Sequence, residues 1–430
     1  MVREMKRRIL GIVLLAALIF FITACEDSRR SVNSNTDEFL LSENKKTLTL
    51  AGIGIRNSDI ANIVAEFNSS DSQYQIKLND YGDVSETIEQ AEVALKTAVL
   101  SGNMADMICF ENISPLPFIA SEALMDMDVL FCDDERIKES DILIWKALHE
   151  YGGLYIIAPT FKIDTICCSQ ETFDDHKNWT VSEYLQMERE LDPGQDMIYY
   201  MDLEEFITGI GGRYLREKMD IKNATCDLDN EEFIELLKGA VQVKEYKTEF
   251  DPTTGVPQRI VDGSLICCYV ELANASKIAF DRYRGGETLA YIGWPTVDGS
   301  GGTDVSLQYP IGISAVTKYT DGCWEFVKFL LKRGASLTST PGTPTYAPLL
   351  MEHMEILNGD EEIPWKVEYT DIEIIETLAK SSEAMTFYDK NAIEIVLDEA
   401  SRILKKEETS EDAAKAIQAR VNLFMQEQYG

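Results

Sequence analysis

The feature that most constrains this chain is the order of its apolar runs between residues 46 and 110. "KTLTLAGIGI" (46–55) reads as a buried strand, and Asp59 opens a helix whose apolar residues fall at Ile60, Ile63, Val64 and Phe67. That spacing is one face of a 3.6-residue period. "YQIKLNDY" (74–81) reads as a second strand, Ile88, Ala91, Leu95 and Ala98 as a second helix, and "ADMICF" (105–110) as a third strand. Strands separated by helices of this length form right-handed βαβ units and a mainly parallel sheet with helices on its faces. The pattern then changes. "GGLYIIAPTFKIDTICCS" holds two apolar runs divided by Pro159 and a polar patch, as if a strand leaves one sheet and joins another. "YPIGISAV" (309–316) reads as a crossing back. Between and beyond them lie a capping box at Thr180 and Glu183, a helix striped by Phe233, Leu236, Leu237, Ala240 and Val241, strands at 264–270 and 288–294, and a helix with Trp324, Val327, Leu330 and Leu331 inward. A helical tail follows from about 347, its last helix capped by Thr409 and Asp412.

The N-terminus fixes the expected compartment. Arg3, Lys6, Arg7 and Arg8 precede an uncharged stretch from Ile9 to Ile22, the pattern of a secretory signal. The stretch is shorter than the roughly 20 residues of a transmembrane helix. Ile22-Thr23-Ala24-Cys25 resembles a bacterial lipobox, which implies a cleaved signal at 1–24 and a lipid on Cys25; an uncleaved anchor is the alternative. Residues 25–45, polar and rich in Ser and Asn, read as a tether. The expected location is the outer face of a bacterial cell membrane, of Gram-positive type.

Beyond residue 24 the chain carries 36 basic and 73 acidic residues. Such a surface repels phosphate backbones, so nucleic acid is excluded as a partner. Eight cysteines follow Cys25, an even number that invites disulfides. Their settings oppose it: "DMICF", "DTICCS" and "SLICCYV" are apolar strand-like runs in which cysteine acts as a small hydrophobe. The adjacent pairs point to opposite faces of a strand and serve neither as a normal bridge nor as a metal clamp. No HExxH, GxSxG or GxxxxGK[ST] occurs, and "GIGIRN" has Asn57 where a dinucleotide fingerprint needs its third glycine. Neither an enzyme nor a resident cofactor or metal is expected. Adjacent Tyr199 and Tyr200 raise ferric iron only as a minor alternative, because they sit in a strand-like run.

Four stretches together resemble the extracellular solute-binding proteins of ABC importers, family 1, in the sugar-binding branch related to maltose-binding protein. "LKTAVLSGNMADMICF" is similar to the family's helix, "sGkxPDII" and strand, with Ala105 in place of the usual Pro. "ALHEYGGLYIIAPTFKIDT" is similar to its first hinge crossing. "YIGWPTVDGSGG…YPIGISAVTKYTDGCWEFVKFLL" and the terminal "NAIEIVLDEASRILKKEETSEDAAKAIQARVNLFMQE" resemble its later motifs. The likeness spans roughly residues 46–430. It implies a class II, two-lobed periplasmic-binding-protein-like α/β fold with a hinge of three chain crossings. The lobes are expected at 46–158 plus 310–345 and at 159–309 plus 346–430. It further implies a monomeric, lipid-anchored receptor that closes on a small solute, first an oligosaccharide, and delivers it to ABC permease subunits. A cationic polyamine or peptide, or a glycan-acting enzyme or scaffold, are the alternatives.

Sugars offer apolar ring faces and many hydroxyls, so their sites combine a stacking aromatic with carboxylates and amides. In open α/β sheets ligands meet the carboxyl ends of strands. Those positions are Arg56, Asn57, Tyr81, Asp83, Glu111 and Asn112 on one lobe, and Phe161, Asp164, Tyr269, Glu271 and Trp294 on the other. Tyr388 joins them because sugar-binding relatives often carry an aromatic there. Trp294, beside Pro295 at a strand end, is expected as the ring platform. Phe161 and Tyr269 suit core and cleft equally, and Arg56 suits a surface ion pair as well as a ligand.

Overall fold

The computed structural model describes residues 41–85, 87–199, 201–243, 255–286, 289–337, 342–386 and 390–429. The signal and lipidation readings at 1–24 and Cys25, and the candidates Tyr200 and Tyr388, lie outside the described residues. The body of the fold runs from Thr47 to the C-terminus.

Strands β1 (Lys46–Gly52), β2 (Tyr74–Asp80) and β3 (Met107–Cys109) alternate with helices α1 (Asp59–Ser69) and α2 (Ile88–Leu100). The short helix α3 (Trp145–Leu148) precedes β4 (Thr160–Cys168), α4 (Val181–Glu190) and β5 (Asp196–Ile198). Helix α5 (Leu203–Phe206) continues through a wide π-helical turn, Ile207–Gly211, into α6 (Gly212–Lys218). A hairpin of β6 (Met219–Asp220) and β7 (Thr225–Cys226) leads to α7 (Glu231–Ala240) and β8 (Leu265–Leu272). Then come α8 (Ala275–Gly285), β9 (Ala290–Tyr291), β10 (Asp304–Gln308), β11 (Ile311–Ile313) and α9 (Thr320–Leu331). The last principal elements are β12 (Thr343–Pro344), α10 (Tyr369–Ser381), β13 (Ala384–Met385), α11 (Lys390–Leu404) and α12 (Ser410–Tyr429).

The strands sort into two sheets. The smaller has the order β11-β3-β1-β2; the larger has β13-β10-β4-β8-β5, with β9 and β12 also on β4. The chain first passes between them after Ile157, which bridges Ile311, and before Thr160 opens β4. It returns in the two residues between β10 and β11 and passes again between α9 and β12. Tyr309, in the second passage, has φ +54, a left-handed turn that lets β10 and β11 belong to different sheets. Asp106 locks the smaller sheet: its carboxylate accepts from Thr49 N–H and Oγ1 (both 2.8 Å) and from Thr317 Oγ1 (2.7 Å).

The expectation of mainly parallel sheets holds for β1 with β3 but not for the larger sheet. There β4 runs antiparallel to β8, β9, β10 and β12, and only β5–β8 and β10–β13 are parallel. The reason is topological: β4 and β10 reach this sheet from opposite directions through the crossings, not through βαβ units. Helical stripes are as the sequence predicts in α1 and α9, whereas in α2 only Ala91 and Leu95 are buried and the predicted Ile88 is exposed. Ile60, Ile63, Val64 and Phe67 of α1 are buried, as are Trp324, Val327, Leu330 and Leu331 of α9. Thr180 and Glu183 form the predicted capping box of α4. All eight cysteines in the described residues are free.

One carboxylate ties α3 to the larger sheet. Glu150 Oε1 lies 3.0 Å from Arg216 Nε on α6, and Oε2 accepts from Met385 N–H at 2.9 Å. Burial pushes the Glu150 carboxyl up to about 7, with Arg216 opposing. An acid whose pKa is higher in the fold than in the unfolded chain binds its proton more tightly when folded. Its contribution is therefore fully present below about pH 4.5 and is lost as pH rises to about 7. Accordingly, the Tm of the wild type should fall relative to that of Glu150→Gln between pH 5 and pH 8. A difference between the two proteins that stays constant over that range would contradict the assignment.

Candidate functional site

In the smaller lobe the carboxyl ends of β1 and β2 are fastened together by Asp80. Its carboxylate accepts from the backbone N–H groups of Gly54 (2.8 Å), Arg56 (2.8 Å) and Gly82 (2.9 Å). Gly54 has φ +73, a conformation that suits glycine. Four of the six predicted residues on this rim are already hydrogen-bonded or ion-paired within the protein. Arg56 Nε lies 2.6 Å from Asp83 Oδ2, the surface ion pair left open as its alternative. Asn112 Nδ2 donates to Ile53 O at 2.9 Å, and Glu111 accepts from the backbone N–H of Tyr309 in the second passage. Burial raises the Glu111 pKa, and Lys162 of the larger lobe opposes the rise. Asn57 is exposed and Tyr81 half-buried.

The larger lobe holds a cavity of about 590 Å³. Of the predicted residues it brings Asp164, Tyr269 and Trp294 together in that wall, and none from the smaller lobe. Tyr269 OH donates to Asp164 Oδ1 at 2.9 Å, and Thr386 Oγ1 donates to Oδ2 at 2.8 Å. Burial raises the Asp164 pKa while these two hydrogen bonds lower it. Glu271, opposite Asp164 on β8, pairs with Lys162 at 2.7 Å.

Phe161 is fully buried and belongs to the core. The cause is parity: side chains alternate along a strand, so residues three apart on β4 cannot share a face, and Asp164 takes the cavity side. Trp294 also departs from expectation. It lines the cavity but is only 5% exposed, whereas Tyr269 is 44% exposed. The Tyr269 ring, 5.3 Å from that of Trp294, presents the open face, and Trp294 backs it.

Sequence reasoning missed the residues that hold Trp294. The Arg213 guanidinium lies over the indole at 4.8 Å, donates to Gly209 O at 2.8 Å and pairs with buried Asp304 at 2.8 Å. Gly209 lies in the π-helical turn, where a Cβ would stand 2.7 Å from the indole ring. Gly302, of the "DGSGG" loop, is equally tight, and its carbonyl accepts from Trp294 N–H at 3.1 Å. The indole N–H itself is buried without a hydrogen-bond partner among the described residues. Ile198, Tyr199, Met201, Glu204, Glu205, Thr208 and Cys268 complete the described wall. The available signal was "DLEEF", a capping box of Asp202 and Glu205 that opens α5 just ahead of the glycines. No group of three or more metal-ligating side chains occurs among the described residues.

No family model and no curated protein matches the chain. Solved structures do. It is similar to an extracellular solute-binding protein family 1 from Alicyclobacillus acidocaldarius, at 16% identity over 90% of this chain and 100% of that one, with a TM-score of 0.56. It is similar to the sugar-binding protein MalE from Xanthomonas citri (13% identity, 89% and 98% covered, TM-score 0.57). A periplasmic oligogalacturonide binding protein from Yersinia enterocolitica is similar as well (15%, 90% and 100%, TM-score 0.58). The chain thus has the two-lobed fold of periplasmic solute-binding proteins.

Gly209→Ala should displace Trp294, because backbone and ring leave no room for the methyl group. The expected cost is about 1–3 kcal/mol, measured by urea unfolding. Gly211→Ala, in the same π-helical turn but with only ordinary contacts at 3.6–3.8 Å around its Cβ position, is the control. Wild-type stability in Gly209→Ala would mean that the Trp294 packing does not hold the wall.

Proposed function

We propose that this protein is an extracytoplasmic solute receptor that captures a neutral oligosaccharide between its lobes and passes it to an ABC importer. The observation that carries the reading is the cavity wall: an exposed Tyr269 ring backed by Trp294, with Asp164, Thr386 and Glu204 beside it. A ring platform flanked by hydrogen-bonding groups suits a pyranose, whose axial C–H bonds stack while its hydroxyls pair with oxygen acceptors. Arg213, the one arginine among the described residues of the wall, is already committed to Asp304, which favours an uncharged sugar over an acidic one.

The lobes we assign follow the expected 46–158 plus 310–345 and 159–309 plus 346–430, except that β12 (Thr343–Pro344), paired with β4, goes with the larger lobe. Closure would bring the Asp80-braced rim against Tyr269, so contacts from both lobes exist only in the closed state and binding shifts the equilibrium toward it. Lipid on Cys25 would hold the monomer at the membrane beside its permease. The reading requires no catalytic step. That two of the three similar proteins bind sugars by name supports the substrate class. The carboxylates Asp164, Glu204 and Glu205 in the wall favour a polyamine or basic peptide as the second reading.

Thermal unfolding against neutral oligosaccharides, polyamines, basic peptides and ferric iron decides between them. A ligand at 100 times its Kd adds roughly 2.7 kcal/mol. With the sugar so found, Tyr269→Ala should weaken binding about tenfold and Tyr269→Phe much less, by calorimetry. Stabilisation by a polyamine alone would replace the sugar reading, and equal affinity of Tyr269→Ala and wild type would remove the platform.

A further inference from the structure

The four cysteines of the larger sheet, adjacent pairs in the sequence, meet across strands. On antiparallel β4 and β8, Cys167 stands directly opposite Cys268, and Cys168 opposite Cys267. Opposed residues on such a ladder share a face, with Cα atoms about 4.5–5.5 Å apart. A disulfide spans roughly 4.4–6.8 Å between Cα atoms. The two pairs differ in their surroundings. Cys168 and Cys267 are wholly buried, and the Cys267 thiol donates to Met197 O at 3.2 Å. On the other face, Cys268 is half-buried and its thiol donates to Tyr269 O at 3.1 Å, while Cys167 opposite it is buried. The facing Cys167 thiol, helped by Lys277 on α8, holds the Cys268 thiol below its ordinary pKa against burial, and the same neighbour raises Cys167. Cys268 is therefore the sulfur that is both reachable and nucleophilic.

We propose that Cys167 and Cys268 are an oxidisable dithiol, a modification site that closes into a cross-strand disulfide by exchange with a small-molecule disulfide. The Cys268 thiolate attacks one sulfur of the external disulfide, breaking its S–S bond and expelling one thiolate. Cys167, losing its proton, then attacks Cys268 Sγ in the mixed disulfide and expels the second. Two protein thiols become one disulfide, and the external disulfide is reduced to two thiols that carry the two protons. The bond joins β4 to β8 one residue from Tyr269. The pairing itself does not depend on what the cavity binds.

The test is differential thiol labelling of the full-length chain after incubation with oxidised glutathione. Free thiols are blocked with one alkylating reagent under denaturing conditions, disulfides are reduced, and the released thiols take a second. Cys167 and Cys268 should carry the second reagent while Cys168 and Cys267 carry the first. A non-reducing digest should link the two peptides within one chain. The Cys168→Ala/Cys267→Ala double variant should keep the link, and Cys268→Ala should lose it. Exposed Cys132 reports that the oxidant has acted. Free Cys167 and Cys268 in a chain whose Cys132 is glutathionylated would overturn the proposal. So would a Cys168–Cys267, Cys167–Cys168 or interchain bond.

Discussion

A single buried carboxylate, Asp304, holds together the parts of this molecule that face the cavity. It is 3% exposed and pairs with Arg213 at 2.8 Å and with Arg216 at 3.0 Å. Arg213 in turn lies on Trp294, and Arg216 reaches Glu150 beside α3. Removing the carboxylate would leave the buried Arg213 guanidinium without its counter-charge and Arg216 with Glu150 alone, which is the costly way to break a buried ion pair. The network is thus less a source of net stability than a device that fixes geometry. It ties the wall behind Tyr269 to the segment that enters the first passage between the lobes.

The local order of the smaller lobe was legible in the sequence because each element there obeys one period. The α1 stripe and the β1 and β3 runs needed no tertiary information. The larger lobe was harder for a physical reason. Its central strand, β4, is paired by β8, β9, β10 and β12, all distant in sequence, so strand direction is decided by the crossings and not by neighbouring helices. The Phe161 error was avoidable: "TFKIDT" already states, by alternation, that Phe161 and Asp164 face opposite ways. Arg213 was not avoidable, since nothing in "GGRYLREK" shows that an arginine on a helix will find a buried aspartate 91 positions later. The cysteine pairs are intermediate. Adjacent cysteines correctly exclude a bridge within each pair, but the register that opposes them belongs to the fold.

The two rims of the cleft are built on different principles. The smaller lobe's residues are satisfied by their neighbours: Arg56 by Asp83, Asn112 by a backbone carbonyl, Glu111 by the second passage. The larger lobe keeps unspent capacity in an open tyrosine face. On the proposed reading, a solute would meet the larger lobe first, stacking where desolvation of an aromatic face is favourable and no ion pair must be broken. Contacts to the smaller lobe would follow only as closure brings its rim within reach, each in competition with a bond already made. The Arg56–Asp83 pair, with both side chains more than a third exposed, is weak enough to be exchanged at small cost, whereas the Asp80 brace beneath it is not. The rim can thus re-aim its side chains without moving its backbone.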